Sequence, residues 1–387
     1  MSLTASKVGP YFASGSISFS QLRTNFKETS SGEVKASELL RVTDTTNTNP
    51  IVPDATENSS IASSTNLKTS QFRNSIKYYN LNQGSSDTDL NLDIADSSLW
   101  NGNLGKTIVK TVTLAGTSAS STTTTPAATL DAASVYNVLL IITGSVLGDG
   151  GTAGTSGVNG GDGGHAIYID TNSTGTVTVR TSGASAQVYG GGGGGGYGGS
   201  GGTGGQGKQD YSYTVAENRG YYRNQGGNCG CPGSWYCWGG SQYMNGSSDP
   251  CCGGGQGTPN ECFCCTENVT KSGTNYYNGG SGGAGSNGGL GQGYLQTRTF
   301  GAASNGGSGG GTNAGSGGSS GASGDGGFWG EDGVDGANGS TGSNGNHTNG
   351  SAGQPGTLGG TAGRAVAGSG YSIDTANGVD SAYKGLK

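Results

Sequence analysis

The chain has 387 residues, 84 of them Gly, with 30% hydrophobic and 11% charged residues and a formal net charge of −6. Glycine brings no side chain to bury, so a single conventional core is excluded and two or three unlike regions are expected. The acidic balance without a basic run speaks against a nucleic-acid binder, and no apolar stretch approaches the roughly 20 residues that span a bilayer.

Residues 1–100 are rich in Ser, Thr and Asn and repeat a short pattern. Ile17-Ser18-Phe19-Ser20-Gln21-Leu22, Val34-Lys35-Ala36-Ser37-Glu38-Leu39 and Leu67-Lys68-Thr69-Ser70-Gln71-Phe72 share the form apolar, two residues, Ser, acid or amide, apolar. The central Ser of each suits a helix N-cap, so the pattern predicts three short capped helices. They are either unrelated or parts of a docking module. The opening MSLTASKVGPYF lacks the charged-then-apolar pattern of a secretory leader.

Residues 101–189 change character. Runs starting at Thr107, Val135, His165 and Gly175 are β-branched and bounded by Gly, Asn and Ser, which predicts strands. The Thr-rich stretch 118–125 reads as a loop.

Glycine then keeps a period of three. It holds every third position over 148–163, 190–207 and 279–291, and over 306–345 except at Thr312. After a phase slip it resumes over 350–359. Three residues per turn is the repeat of the polyproline II helix, which has no internal hydrogen bonds. Its amides and carbonyls need partners on neighbouring rods, and rods approach that closely only where the facing residue lacks a Cβ. Residues 190–207, with two glycines in three, are expected inside such a bundle. Residues 306–345, as two rods with a turn near Phe328-Trp329, are expected at its edge. A flexible linker needs no phase, and collagen needs far more proline than Pro355, the only one from residue 260 onward.

The spacing Cys229-x-Cys231-x5-Cys237-x13-Cys251-Cys252-x9-Cys262-x-Cys264-Cys265 puts eight cysteines into one segment without helical or strand pattern. Disulfides are the expectation, because no paired CxxC unit occurs and neither His165 nor His347 is near; zinc is the rival. Such density belongs to oxidised surroundings. A protein assembled into a virus particle in a bacterial cytoplasm and released by lysis reconciles this with the absent leader; a removed signal and a metal-bound cytosolic protein stay open.

Aromatic residues gather between the glycine blocks, where no sizeable core waits to receive them. Tyr211, Tyr213, Tyr221, Tyr222, Trp235, Tyr236, Trp238, Tyr243, Tyr276, Tyr277, Phe328 and Trp329 are the candidate binding residues. Tyr and Trp supply large contact area with few torsions to freeze, and loops on rigid scaffolds are where binding is found. The competing reading is a local cluster around the disulfides. No catalytic constellation is present, and no cofactor or metal is expected. Asp149, Asp162, Asp325, Asp332 and Asp335 sit among glycines, where calcium or plain solvation are the two readings.

GSISFSQLRTNF resembles a segment near the N-termini of structural proteins of tailed phages, notably marine cyanophages. HAIYIDTNSTGTVTVRTSGASAQVY running into GGGGGGGYGG, with further period-three blocks and a closing TAGRAVAGSGYSI, resembles the glycine-rich adhesins at phage tail-fibre tips. The resemblance covers about 135–375 and implies a layered polyglycine II bundle whose intervening segments, 208–277, 294–302 and 328–335, touch a host outer-surface protein or glycan. The expected fold is mostly β and irregular: a virion attachment module (1–100), a β-rich shaft (101–189), a polyglycine II bundle (190–375) with a Cys-rich loop insertion at 208–277, and a tail (376–387). Expected partners are other tail or fibre proteins through 1–100, a host receptor, and two further copies if the chain is a homotrimer. The expected location is the virion tail. The alternative is a purely structural fibre or decoration protein; an ice-binding protein is a more distant third.

Overall fold

The computed structural model describes residues 3–9, 12, 14–27, 35–41, 51–171, 176–222, 235–238, 262–376 and 380–386; over 217–222, 235–238, 262–267 and at 380 it describes the backbone alone. The described chain is mostly strand and irregular, with short helical turns, one of which, Phe19–Leu22, continues as a π-helical turn over Arg23–Lys27.

Three of those turns coincide with the repeated N-terminal pattern, at Phe19–Leu22, Ala36–Leu39 and Thr69–Phe72. The caps are not the central Ser20, Ser37 and Ser70. They are Ser18, Lys35 and Lys68, two residues earlier, and the acid or amide reaches back to close the turn. Gln21 Oε1 accepts from Ser18 N at 2.7 Å, Glu38 Oε2 from Lys35 N at 3.1 Å, and Gln71 Oε1 from Lys68 N at 2.8 Å. The reciprocal bond of a capping box thus governs the pattern, so the cap lies three residues before the acid or amide. The sixth residue of each copy, Leu22, Leu39 and Phe72, is fully buried in one small core with Phe26, Val52 and Ile61.

Beyond this module the chain winds as a three-faced parallel β-solenoid. β1 (Ser6–Val8) lies antiparallel against β2 (Tyr78–Gln83), which opens the first coil, followed by β3 (Asp87–Thr88) and β4 (Leu90–Asp93). The second coil is β5 (Val109–Leu114), β6 (Thr117–Ala119) and β7 (Ala128–Asp131), so the Thr-rich stretch begins as strand and only then loops. The third is β8 (Val138–Ile142), β9 (Ser145–Leu147) and β10 (Ile167–Asp170). The fourth starts with β11 (Val177–Thr181) and β12 (Gln187–Tyr189). Next come β13 (Gly207–Tyr222), β14 (Trp235–Trp238) and β15 (Cys262–Tyr277), which form a separate sheet. The fourth coil closes only at β16 (Val366–Gly368); β17 (Tyr371–Ile373) and β18 (Tyr383–Lys384) follow. The three faces run β1-β2-β5-β8-β11-β17, β3-β6-β9-β12-β18 and β4-β7-β10-β16, with every coil-to-coil pair parallel.

Alternation along each strand sends every second residue inward, and parallel register stacks like upon like. Val112, Leu140 and Val179 are successive partners on the first face, as are Leu92, Leu130 and Ile169 on the third. All six are buried. One inward position is Lys110, fully buried, whose Nζ donates to the carbonyls of Lys106, Ile108 and Tyr136 at 3.0–3.1 Å. Burial pushes its pKa down to about 7.

The N-terminal module is tied to the first coils through part-buried polar bonds. Asp54 accepts from Arg41 and from Lys106 Nζ at 3.0 Å. Glu57 meets the Lys7 ammonium at 2.9 Å and the Tyr79 hydroxyl at 2.7 Å. Burial alone would raise the Glu57 pKa, but the Lys7 and Tyr79 hydrogen bonds outweigh it and hold the carboxyl below its ordinary range.

The corner between the second and third faces lengthens from coil to coil. It is Asp89 alone in the first coil, 120–127 in the second, 148–166 in the third and 190–365 in the fourth. All the glycine-rich sequence therefore leaves the solenoid at one corner, and its two excursions emerge from stacked coils.

There the runs 148–155, 159–165, 190–206, 279–292, 299–309, 314–327, 331–345 and 348–364 lie side by side, with lateral backbone bonds at steps of three residues. Residues 190–206 are at the centre. Gly192, Gly195, Gly198, Gly201 and Gly204 donate to 279–292, while Gly193, Gly196, Gly199, Gly202 and Gly205 donate to 331–345. Gly191 and Gly194 donate to 159–165. The carbonyls of the central run accept from 148–155, 314–327 and 348–364. Over Gly190–Gly196 all of these neighbours are present and every residue is buried. The two short runs then end at the turn 155–158, and the side-chain positions Tyr197, Ser200, Thr203 and Gln206 begin on the face left open. On that face the hydroxyls of Thr357, Ser351 and Thr348 accept from the amides of Tyr197, Thr203 and Gln206 at 2.7–2.8 Å, in place of the missing carbonyls.

The block 306–345 holds parts of three runs, not two. The turn expected near Phe328-Trp329 is there, at Phe328–Glu331, and a second lies at Gly311–Asn313, where Thr312 interrupts the glycines. They use positive φ at Gly330 (69°) and Asn313 (56°) and keep the three-residue phase.

Candidate functional site

Where the central run ends at Gly207 the sequence changes from period three to the alternating KQDYSYTV, and the chain leaves the bundle as β13. β13 and β15 pair antiparallel from Gly207↔Tyr277 to Tyr222↔Cys262, a ribbon roughly 50 Å long at ~3.4 Å per residue. β14 adds to its far part, parallel to Asn218–Tyr221.

Register divides the described part of the ribbon into two faces. One carries Ser212, Thr214, Thr270, Ser272 and Thr274, with Thr274 Oγ1 donating to Asp210 Oδ1 at 2.6 Å. The other carries Gln209, Tyr211, Tyr213, Lys271, Asn275 and Tyr277. Tyr211 lies across the ribbon over Gly273, where a Cβ would stand 2.6 Å from both Cζ and Oη of the ring. Tyr211 and Tyr213 are 6.0 Å apart between centroids and 26° from parallel, and they are 43% and 47% exposed. The Tyr277 hydroxyl donates to Gln209 Oε1 at 3.2 Å.

Two turns of the bundle grip the root of the ribbon. Asn346 Oδ1 accepts from Lys208 N at 2.7 Å, and Asn346 Nδ2 donates to Lys208 O at 3.0 Å, so the side-chain amide pairs with the strand as a neighbouring peptide would. Asn313 Nδ2 adds a second bond to Lys208 O at 3.1 Å. On the other strand the Tyr276 ring meets His347 at 4.8 Å between centroids.

Tyr211, Tyr213, Tyr276 and Tyr277 are thus brought together at the end of the bundle far from the solenoid. Tyr221, Tyr222, Trp235, Tyr236 and Trp238 occupy strand positions further along the ribbon, and Tyr243 lies outside the described residues. Cys229, Cys231, Cys251 and Cys252 also lie outside them; Cys237, Cys262, Cys264 and Cys265 are described by backbone only. Phe328 and Trp329 sit at the opposite end, beside the solenoid. Trp329 contacts Tyr189, the last residue of β12, at 5.7 Å, and Gly330 N donates to Gly190 O at 2.9 Å. Phe328 stacks on Arg298, which also faces Phe300 and pairs with Asp325 at 3.4 Å. The stretch 293–298 is the return between two runs at this same end, with Tyr294 N on Gly148 O.

The five aspartates among the glycines serve as acceptors. Asp162, Asp325, Asp332 and Asp335 take amides of neighbouring runs, from Thr361, Gly301, Ala362 and Gly359, at 2.6–2.8 Å, and Asp149 takes the amide of Gly150. His165 continues one such series: its Nδ1 accepts from Arg364 N at 2.9 Å, and burial, with the Arg364 charge, lowers its pKa. Among the described residues no cluster of three His, Cys, Asp or Glu side chains could hold a metal ion, and no helix is long and apolar enough to cross a membrane.

Sequence reasoning missed Asn313, Asn346 and His347. Their signals were the interruption at Thr312 and the phase slip between Gly345 and Gly350, which mark the two gripping turns.

The solenoid thus carries a laterally bonded glycine bundle at one corner, and a tyrosine-bearing ribbon leaves the bundle's far end. Residues 78–259 match the family model described as phage tail fibre adhesin Gp38, beginning at the first residue of β2. Those residues are similar to a phage tail-fibre adhesin domain, which supports an adhesin role at the virion tail. No curated protein and no solved structure matches the chain significantly.

Proposed function

We propose that the chain is the receptor-binding tip of a phage tail fibre and acts without catalysis. In this reading residues 1–100 dock on another tail or fibre protein. The glycine runs form a polyglycine II bundle that holds the ribbon rigid, and the three-residue ladder of lateral bonds supports that assignment. Four disulfides among the eight cysteines, Cys237, Cys262, Cys264 and Cys265 being on ribbon strands, stiffen the 208–277 insertion, which meets a host outer-surface protein or glycan.

The observation that carries the reading is the exposed tyrosine pair on a ribbon clamped to the bundle's far end. Aromatic side chains bared on a fixed support give contact area with little entropy left to lose on binding. The test is to join Gly207 to Asn278 by a two-residue turn, removing 208–277, and to measure adsorption of particles carrying the shortened chain. Adsorption should fall to background while particles still assemble. Undiminished adsorption would leave a purely structural fibre protein.

A further inference from the structure

The tyrosine face of the ribbon has a shape that selects among receptor chemistries. Tyr211 lies flat over Gly273. Tyr213 is nearly parallel to it, 26° between planes with centroids 6.0 Å apart, close to the ~6.8 Å separating residues i and i+2 of a strand. Both rings are nearly half exposed, so two nearly parallel aromatic faces stand open to solvent on one face of the ribbon. Around them the same face supplies the amides of Gln209 and Asn275 and the ammonium of Lys271, and over 207–215 and 269–277 it carries no carboxylate. Asp210 is on the opposite face, bonded to Thr274.

Size narrows the choice further. This stretch of ribbon is roughly 30 Å by 10 Å, about 300 Å² in all. A stable protein partner usually needs about 800 Å² from each side. A pyranose ring needs far less: its axial C–H face covers one aromatic ring, and its hydroxyls reach the flanking amides.

We propose that Tyr211 and Tyr213 are a saccharide-binding platform that takes two adjoining pyranose rings of a neutral or acidic surface glycan, with Gln209, Asn275 and Lys271 bonding their hydroxyl or carboxylate groups. The proposal rests on the receptor-binding role of the ribbon and assigns that role a ligand class.

The probes are a printed array of bacterial surface polysaccharides and susceptible cells pretreated with either periodate, which cleaves vicinal diols, or proteinase K. The full chain should bind a subset of the array. Tyr211→Ser/Tyr213→Ser should lose that binding at least tenfold, Tyr211→Trp/Tyr213→Trp should keep it, and Ser212→Ala/Thr214→Ala on the other face should leave it unchanged. The tryptophan and opposite-face variants guard against a misfolded ribbon. Adsorption should be abolished by periodate and survive proteinase K. Loss with proteinase K alone, and with the tyrosine variants, would overturn the glycan assignment and leave receptor binding by the ribbon standing. Normal adsorption by the tyrosine-to-serine variant would sink both.

Discussion

Gly194→Ala and Ser200→Ala change the same strand of glycine sequence six positions apart, and the packing expects opposite outcomes. The φ of Gly194 is not in the left-handed region, so alanine suits its backbone; only the neighbours object. A Cβ at 194 would stand 1.8 Å from Thr152 O, and no real Cβ lies under 3.0 Å from such an atom. The runs must part by more than an ångström. That puts at risk the bonds Gly161 N to Thr152 O (2.8 Å), Gly194 N to Gly161 O (2.9 Å) and Gly360 N to Gly194 O (2.7 Å). At about 0.5–1.5 kcal/mol net for each, the loss is about 1.5–4.5 kcal/mol. Replacing glycine stiffens the unfolded chain and offsets about 0.4–1 kcal/mol of it. The expected destabilisation is therefore about 0.5–4 kcal/mol. Ser200 sits on the open face, and its side chain makes no hydrogen bond among the described residues, so Ser200→Ala should stay within about 0.5 kcal/mol. Calorimetric unfolding of both variants, with amide exchange at Gly161, Gly194 and Gly360, is the assay. Equal stability of the two, with protected amides in both, would refute close lateral packing of the glycine runs.

Two further expectations concern the solenoid and the ribbon. Lys110 has a folded pKa lowered to about 7, well below its unfolded value, so between about pH 7 and 10 the unfolded chain holds a proton the folded chain has given up. Stability should therefore rise with pH across that window by up to ~1.4 kcal/mol per unit, and the stabilisation should be lost as pH falls back towards 7; denaturant titrations of Lys110→Met, compared with the unaltered chain, should show a flatter slope, and an unchanged slope would disprove the assignment. Asn346→Ala removes both bonds to Lys208 and should cost about 1–3 kcal/mol locally. Exchange at the Lys208 amide should then accelerate and a spin-label distance from ribbon to bundle should broaden, with the main unfolding transition in place; a narrow, unshifted distance would show that the clamp does not orient the ribbon.

Much of the local structure was legible in the residues. The runs near 107–114, 135–142, 165–169 and 175–180 mark strands, because β-branched alternation needs no knowledge of the partner. The glycine phase likewise tells which residues can face another chain. It does not tell which chain, and it marks turns unevenly: Thr312 interrupts the count at Gly311–Asn313, whereas Gly330 keeps it through Phe328–Glu331, where the aromatic pair is the signal. The solenoid was invisible for a related reason. Its coils are the repeating unit, yet one corner holds a single residue in the first coil and residues 190–365 in the fourth, so no constant period survives in the sequence. Phe328 and Trp329 show the same limit, since a turn between two runs reads alike at either end of the bundle, and the contact of Trp329 with Tyr189 and the bond from Gly330 N to Gly190 O assign it to the solenoid end.

Composition and period by themselves determined that this chain bonds laterally through glycine faces and keeps its aromatics outside that packing. Tertiary structure decided which runs are neighbours and which tyrosines stand at the far end. The physical reason is that a backbone amide is the same at every position. Sequence can clear a face for hydrogen bonding, but only the length of the surrounding runs and the corner they leave from select the partner.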